Sequence, residues 1–115
     1  MTPALFAAVV AVGAAAAVLR YLVGLAGARA SWPWPVLLVN VVASFVAGVG
    51  MHSPAALVVV TGFAGGLSTF STLSVETMQL IADRRHAAAA ASIALNVVVG
   101  VAAAAAGWAV GLLLV

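Results

Sequence analysis

Four long apolar segments, separated only by short polar stretches, restrict this chain to folds that a lipid bilayer can hold. The segments cover residues 4–26, 35–50, 55–81 and 87–115. A helix needs about 20 apolar residues to cross the hydrocarbon core, so only the second segment is short. With 67% of its 115 residues hydrophobic and 5% charged, the chain could not bury its apolar surface in a water-soluble core. We predict an all-α membrane protein with one four-helix transmembrane domain over residues 1–115.

The polar composition argues against several classes of function. The net charge of +2 comes from four arginines against Glu76 and Asp83, with no lysine. Because there is no basic tail, the high isoelectric point does not indicate a nucleic-acid partner. The absence of cysteine excludes disulfides and thiolate metal sites. No carboxylate pair, histidine pair or serine–histidine–aspartate set is placed for catalysis, and we expect no enzyme activity.

A glycine- and hydroxyl-rich run interrupts the third apolar segment. Residues 61–76 read Thr-Gly-Phe-Ala-Gly-Gly-Leu-Ser-Thr-Phe-Ser-Thr-Leu-Ser-Val-Glu. Unpaired backbone groups in lipid are costly, so irregular backbone at membrane depth is tolerated only where it lines a cavity or is buried in protein. The run therefore predicts a break in the third helix and an ion site beside it.

Polar side chains also lie within the other three segments. Arg20, near the end of the first, either reaches the membrane interface or draws an anion into a vestibule. Asn40, in the second, either bonds neighbouring helices or lines a polar pathway as a donor. Ser92, Asn96 and Gly100 recur every four residues and share one helical face, which is either a pore lining or a packing seam.

Two further positions follow the glycine-rich run. Phe70 and Leu73 are three residues apart, so they would share a face of the helix expected there. Such a stripe is usually core packing, but beside a polar break the positive edge of the Phe70 ring could face an anion. Glu76, close to the end of the third segment, is expected to meet water or an arginine.

The run from Gly62 to Thr72, followed by Glu76, resembles the signature of the Fluc (CrcB) fluoride channel family. Arg20-Tyr21 in the first segment and Leu38-Val-Asn-Val-Val-Ala-Ser-Phe45 in the second also match the family. The resemblance covers the whole chain. It implies a passive, fluoride-selective channel that exports fluoride across the plasma (inner) membrane and so reduces fluoride toxicity.

The resemblance also implies an assembly and a set of site residues. Family members are antiparallel dimers with two pores, and main-chain carbonyls at the break hold a structural sodium ion between the subunits. The matching carbonyls here belong to Gly65 and Ser68. The matching fluoride pathway comprises Asn40, Phe70, Ser71, Thr72, Leu73, Ser92, Asn96 and Gly100, with Arg20 and Glu76 in vestibule or structural roles.

Two departures from the family pattern concern pairing. Leu73 stands where the family has a second phenylalanine, and leucine offers no polarised ring edge. Loops 27–34 and 82–86 carry Arg29, Arg84 and Arg85, so the positive-inside rule predicts both loops in the cytoplasm and both termini outside. A subunit of an antiparallel homodimer must insert both ways. The bias therefore suggests one half of a heterodimer, with a four-helix partner of opposite topology.

A small four-helix multidrug or cation antiporter is the main alternative, because such proteins have a similar length and also form antiparallel dimers. Proton-coupled export of cations needs a carboxylate within the membrane, typically in the first helix. The first segment has none, and Arg20 has the opposite charge. A third possibility is a structural subunit that transports nothing.

Overall fold

Helices account for most of residues 1–114, the part of the chain that this computed structural model describes. In chain order the elements are α1 (Pro3–Ala26), α2 (Trp34–Gly50), a π-helical segment (Leu57–Ala64), α3 (Gly65–Leu67), α4 (Ser71–Ala82) and α5 (His86–Leu114). The predicted end of the fourth segment, Val115, lies outside the described residues.

The expectation of an all-helical chain with four helical stretches is confirmed within residues 1–114. Three of these stretches, Pro3–Ala26, Leu57–Ala82 and His86–Leu114, are long and apolar enough to cross a membrane. We call Leu57–Ala82 the third stretch; it contains the π-helical segment, α3 and α4. The second helix, Trp34–Gly50, has 17 residues, so it is as short as the sequence indicated.

Local sequence sets where the helices begin and end. α1 starts with Pro3 at its first position, and Thr2 Oγ1 accepts a hydrogen bond from Leu5 N–H at 3.1 Å. Both features are favoured at helix N-termini. α4 ends at a reversal in which Arg84 has a φ of 59° and Arg85 N–H donates to the Leu80 carbonyl at 2.8 Å. This left-handed residue closes α4 and lets α5 start after three residues.

Glycines bring α2 and α5 into backbone contact. A Cβ atom on Gly107 would collide with the Phe45 carbonyl oxygen, and one on Gly48 would collide with the Ala104 carbonyl oxygen. Small residues at a membrane helix interface permit this close approach and strengthen van der Waals packing between helices. The face of α5 that contains Gly100, Gly107 and Gly111 is therefore buried against α2.

A second glycine contact joins α1 to the third stretch. A Cβ on Gly66 would collide with the Gly13 carbonyl oxygen, and one on Gly62 would lie 3.1 Å from the Val9 carbonyl oxygen. The buried core between these two contacts is made mostly of small or branched side chains: Ala16, Val39, Ala43, Ala64 and Leu67. The glycine-rich run is thus the packing surface of the third stretch toward α1.

Loops 27–34 and 82–86 lie together at one end of the bundle. Trp32 Nε1 donates to the Ala88 carbonyl at 3.3 Å, and the Arg85 guanidinium donates to the Ser31 carbonyl. At the other end, the His52 and Trp108 rings pack with centroids 5.3 Å apart. The two arginine-bearing loops therefore form one polar end of the bundle. Two helical stretches separate them along the chain, so they are expected at the same end.

We expect Gly107→Ala to destabilise the protein by about 1–3 kcal/mol, because the added methyl group must push α5 away from α2. Gly24→Ala is the matched control, since no atom lies within 4 Å of a Cβ at Gly24. Thermal unfolding in detergent micelles measures both. Equal melting temperatures for the two variants would contradict the backbone contact between α2 and α5.

Candidate functional site

The third stretch leaves helical geometry at residues 68–70. α3 ends at Leu67, and Ser68 is extended, with φ −72° and ψ 154°. Phe70, with φ −91° and ψ −35°, lies just before α4. The N–H of Ser68 still bonds to the Ala64 carbonyl, but the Thr69 N–H does not continue the helical pattern to Gly65. The chain therefore exposes helix-end polar groups in the middle of a candidate membrane span.

Asn40 of α2 supplies hydrogen-bond partners for both backbone polar atoms of Thr69. Its Oδ1 accepts the Thr69 N–H at 2.8 Å, and its Nδ2 donates to the Thr69 carbonyl at 3.1 Å. The side-chain amide thus pairs with both polar atoms of one residue. This arrangement satisfies backbone groups that would otherwise be unpaired in a low-dielectric region.

The hydrogen-bond network of the Asn40 amide extends to α5. Nδ2 of Asn40 also donates to Oδ1 of Asn96 at 2.9 Å, and Nδ2 of Asn96 donates to the Ser92 carbonyl at 2.8 Å. Asn96 is 9% exposed and Ser92 is fully buried. The Ser92 hydroxyl has no hydrogen-bond partner within residues 1–114. The polar stripe predicted on the fourth segment therefore lies inside the fold, toward α2.

Gly100 completes this stripe without a polar group of its own. A Cβ at Gly100 would lie 3.7 Å from the Ser44 hydroxyl of α2. That hydroxyl donates to the Asn40 carbonyl, one helical turn earlier, at 2.8 Å. Gly100 thus leaves space beside a polar group of α2.

Hydroxyl groups cluster at the start of α4. Thr69 Oγ1 donates to Thr72 Oγ1 at 3.1 Å, accepts the Thr72 N–H at 3.2 Å, and lies 3.4 Å from Ser71 Oγ. Thr69 thereby caps one of the open N–H groups of α4, as threonine commonly does at a helix N-terminus. Ser71 and Thr72 are exposed on the isolated chain, while their hydroxyls lie close to Thr69 Oγ1.

Two cavities meet at Thr69. The first has a volume of 560 Å³ and extends to the arginine-bearing loops, with Arg20, Thr72, Glu76 and Arg85 in its wall. The second has a volume of 680 Å³ and is open at the side of α4. We call them the vestibule and the groove. Residues that line the groove are Asn40, Ser44, Ser68, Thr69, Phe70, Leu73, Ser74, Thr77, Met78, Ile93, Asn96 and Val97.

Phe70 and Leu73 both line the groove, but Phe70 is not on a helix. The expectation that both would stand on one helical face is met only by Leu73, because α4 begins at Ser71. The Phe70 side chain is 80% exposed, whereas Leu73 is half-buried. A large ring that no part of the described chain covers is thus held at the mouth of the groove.

Arg20 and Glu76 lie in the vestibule. Arg20 Nη1 approaches the Ser68 carbonyl at 3.5 Å, so the guanidinium points inward rather than toward the membrane interface. Glu76 Oε2 is buried without a hydrogen-bond partner in the part of the chain described. The vestibule also contains Asp83 and Arg85, and its formal charges therefore balance.

The structure permits a test of whether carbonyls at the break suit a cation. The Gly65 carbonyl does not receive the Thr69 N–H, and Gly65 is exposed, so its oxygen is available as a hard ligand. The Ser68 carbonyl faces the Arg20 guanidinium instead, which opposes a second positive charge there. No cluster of three or more histidine, aspartate or glutamate side chains suited to a metal occurs in residues 1–114. The Gly65 carbonyl is therefore free of the Thr69 N–H, whereas the Ser68 carbonyl faces a guanidinium.

Sequence reasoning assigned no role to Thr69, although it lies in the run. Thr69 has the most polar contacts of the break, because its backbone pairs with Asn40 and its hydroxyl caps α4. Threonine is a common residue at the start of a helix, where its hydroxyl accepts a backbone N–H. That signal was available in the sequence.

Together these features describe a multi-pass helical membrane protein with a polar break between two cavities. Comparison with known proteins gives its family. The family model described as "CrcB-like protein, Camphor Resistance (CrcB)" matches residues 7–108. The chain belongs to the CrcB family.

Individual relatives agree with this assignment. The chain is 39% identical over 111 residues to "Fluoride-specific ion channel FluC 2" of Mycobacterium tuberculosis (strain ATCC 25618 / H37Rv), covering 90% of this chain and 88% of the relative. It is 39% identical over 99 residues to "Fluoride-specific ion channel FluC" of Bordetella petrii, covering 77% of each. A protein of the same name from Methanococcus aeolicus is 37% identical over 90 residues, covering 70% and 73%.

We expect Ser92→Ala to leave stability unchanged or to raise it by about 1 kcal/mol, because the buried hydroxyl has no partner to lose. Ser44→Ala is the matched control, since the Ser44 hydroxyl donates to the Asn40 carbonyl at 2.8 Å, and its loss costs about 0.5–1.5 kcal/mol. Melting temperatures in detergent compare the two. A larger loss for Ser92→Ala would show that an ordered molecule binds its hydroxyl.

Proposed function

We propose that this chain is a subunit of a fluoride-selective channel that lets fluoride leave the cell passively and so reduces its toxicity. The names of its relatives support this function. The observation that carries it structurally is the meeting of the vestibule and the groove at Thr69, between the end of α3 and the start of α4. An ion crossing at this point would pass hydrogen-bond donors instead of lipid.

The start of α4 suits an anion. Helix N-termini present open N–H groups and a partial positive charge. The Phe70 N–H, which would bond to the Gly66 carbonyl in a continuous helix, makes no such bond here. The Ser71 and Thr72 hydroxyls lie beside Thr69 Oγ1, one residue before Phe70. A narrow path of such donors would accept small, strongly hydrogen-bonding fluoride and exclude larger chloride.

The Phe70 ring adds a contact of a different kind. Aromatic rings carry positive potential at their edges and negative potential on their faces. At the mouth of the groove, with 80% of its surface exposed, the ring is free to present an edge to an anion. Leu73, on the same groove, offers only hydrocarbon, and the ion's contact with rings of this chain is therefore restricted to Phe70.

A structural sodium ion and a second subunit are part of the proposal. The Gly65 carbonyl is available as a ligand, and a facing subunit would contribute its own set of carbonyls. For Ser68 to take part, its carbonyl must turn from Arg20. A bound cation would supply positive charge that offsets the cost of placing an anion in the membrane.

We further propose that the second subunit is a different chain. The arginines of loops 27–34 and 82–86 meet at one end of the bundle, so their bias acts at one membrane face and favours a single insertion, with both termini outside. An antiparallel assembly then needs a partner that inserts the other way. The same partner would supply the ring that Leu73 lacks.

The antiporter alternative has less support. Among residues 1–114, α1 carries no carboxylate, and its one charged side chain, Arg20, points toward the break. Glu76 is the single carboxylate within a candidate span and belongs to the vestibule. Fluoride transport that is independent of a proton gradient would set this alternative aside.

Phe70→Ile should lower fluoride efflux roughly tenfold, because it removes the polarised ring edge at the mouth of the groove. Phe6→Ile is the matched control, since Phe6 is 61% exposed on α1, away from the break. In the organism that carries the gene, its disruption should raise fluoride sensitivity, and the Phe6 variant should restore resistance fully. A Phe70→Ile variant that also restores full resistance would contradict the pathway.

Liposomes that contain only this chain should release little fluoride, because every copy favours the same orientation and each lacks a ring at position 73. Adding a four-helix subunit of opposite charge bias should raise efflux strongly, as measured with a fluoride electrode after a potassium ionophore is added. Rapid efflux from liposomes that hold this chain alone would remove the need for a different partner.

A further inference from the structure

The side chain of Asn40 uses all of its amide hydrogens within the fold. A primary amide has two N–H donors. One is donated to the Thr69 carbonyl at 3.1 Å and the other to Asn96 Oδ1 at 2.9 Å, while Asn40 Oδ1 accepts the Thr69 N–H at 2.8 Å. While these bonds stand, Asn40 has no hydrogen to offer to an ion in the groove.

The same bonds fix the orientation of the next amide. The backbone of Thr69 offers one donor, its N–H, and one acceptor, its carbonyl oxygen, so pairing with both allows only one orientation of the Asn40 amide. That orientation directs an N–H of Asn40 toward Asn96. Asn96 must therefore accept this hydrogen bond with its side-chain oxygen. The nitrogen of Asn96 then donates one hydrogen to the Ser92 carbonyl. Its second hydrogen has no acceptor within residues 1–114, and Asn96 lines the groove.

We propose that Asn40 is a positioning residue, and that the remaining amide hydrogen of Asn96 is the donor that α5 presents to the anion. Asn40 acts through two neighbours. It holds the backbone of Thr69 in place, and it orients the Asn96 amide so that its nitrogen is available on the groove. This assignment rests on the proposed channel function and adds the division of roles between the two amides.

The location of Thr69 explains why this positioning matters. Thr69 lines both cavities, and its hydroxyl organises Ser71 and Thr72 at the start of α4. Without the Asn40 amide, the N–H and the carbonyl oxygen of Thr69 would be buried and would need new partners. Leaving them unpaired is costly in a low-dielectric site. The backbone at the junction of the cavities would then rearrange, and the donors that depend on it would move.

Hydrogen–deuterium exchange tests the positioning role in the purified, detergent-solubilised protein. Asn40→Leu has a similar volume but cannot pair with Thr69, so exchange in peptides covering residues 67–73 should become roughly tenfold faster. Asn40→Asp retains an acceptor for the Thr69 N–H but loses the donor to the Thr69 carbonyl, so its exchange there should lie between those of the wild type and Asn40→Leu. Exchange in peptides from the second half of α2 should not change. Unaltered exchange at residues 67–73 in Asn40→Leu would overturn the positioning role.

Fluoride efflux tests the donor role in the assembly that conducts. Asn96→Leu removes the donor and should lower efflux roughly tenfold without faster exchange at residues 67–73. Phe6→Ile is the control, because Phe6 lies on α1 and lines neither the vestibule nor the groove. The loss in a variant with both Asn40→Leu and Asn96→Leu should not exceed the larger single loss, because Asn40 acts partly through Asn96.

The possible failures are distinguishable. Efflux by Asn96→Leu within about twofold of the Phe6→Ile control would overturn the donor role. Losses that multiply in the double variant would show that Asn40 does not act through Asn96, and would overturn the proposed division of roles between the two amides. A wild-type assembly that passes no fluoride would overturn the proposed function together with the donor role, whereas the exchange result reports on Asn40 and Thr69 alone.

Discussion

The pairing of the Asn40 side chain with the backbone N–H and carbonyl of Thr69 is the interaction on which the break at residues 68–70 depends. Lipid offers no partner for a broken helix, so the break at residues 68–70 must be satisfied by protein. A single side chain on α2 meets both needs of Thr69, at 2.8 and 3.1 Å. Because α2 is held against α5 by glycine contacts, this side chain is fixed relative to both walls of the groove.

The sequence was informative about elements whose cause is local. Apolar length predicted the helices to within two residues at their described ends, since lipid favours apolar helices and the polar stretches between segments were distinct. The glycine- and hydroxyl-rich run identified where backbone geometry changes. The four-residue spacing of Ser92, Asn96 and Gly100 correctly indicated a shared face, because helical periodicity alone determines it.

Features that depend on tertiary contacts were not accessible in this way. Nothing in the sequence near Asn40 indicates that its amide pairs with Thr69, 29 residues away. The sequence likewise left open whether Arg20 points outward or inward, since a long side chain near a helix end has both options. Phe70 was expected on a helix, but capping by Thr69 delays the start of α4 until Ser71. Side-chain hydrogen bonds to backbone decide each of these cases.

The close glycine contacts also bear on how the protein can move. Helices that meet backbone to backbone, as α2 and α5 do at Gly107 and α1 and α3 do at Gly66, have little room to slide or tilt against each other. Transporters that expose a site alternately to the two sides of a membrane need such motions between rigid groups. A subunit whose helices are restricted in this way is suited to a permanently formed pathway. The ion moves along it while the helices stay nearly fixed.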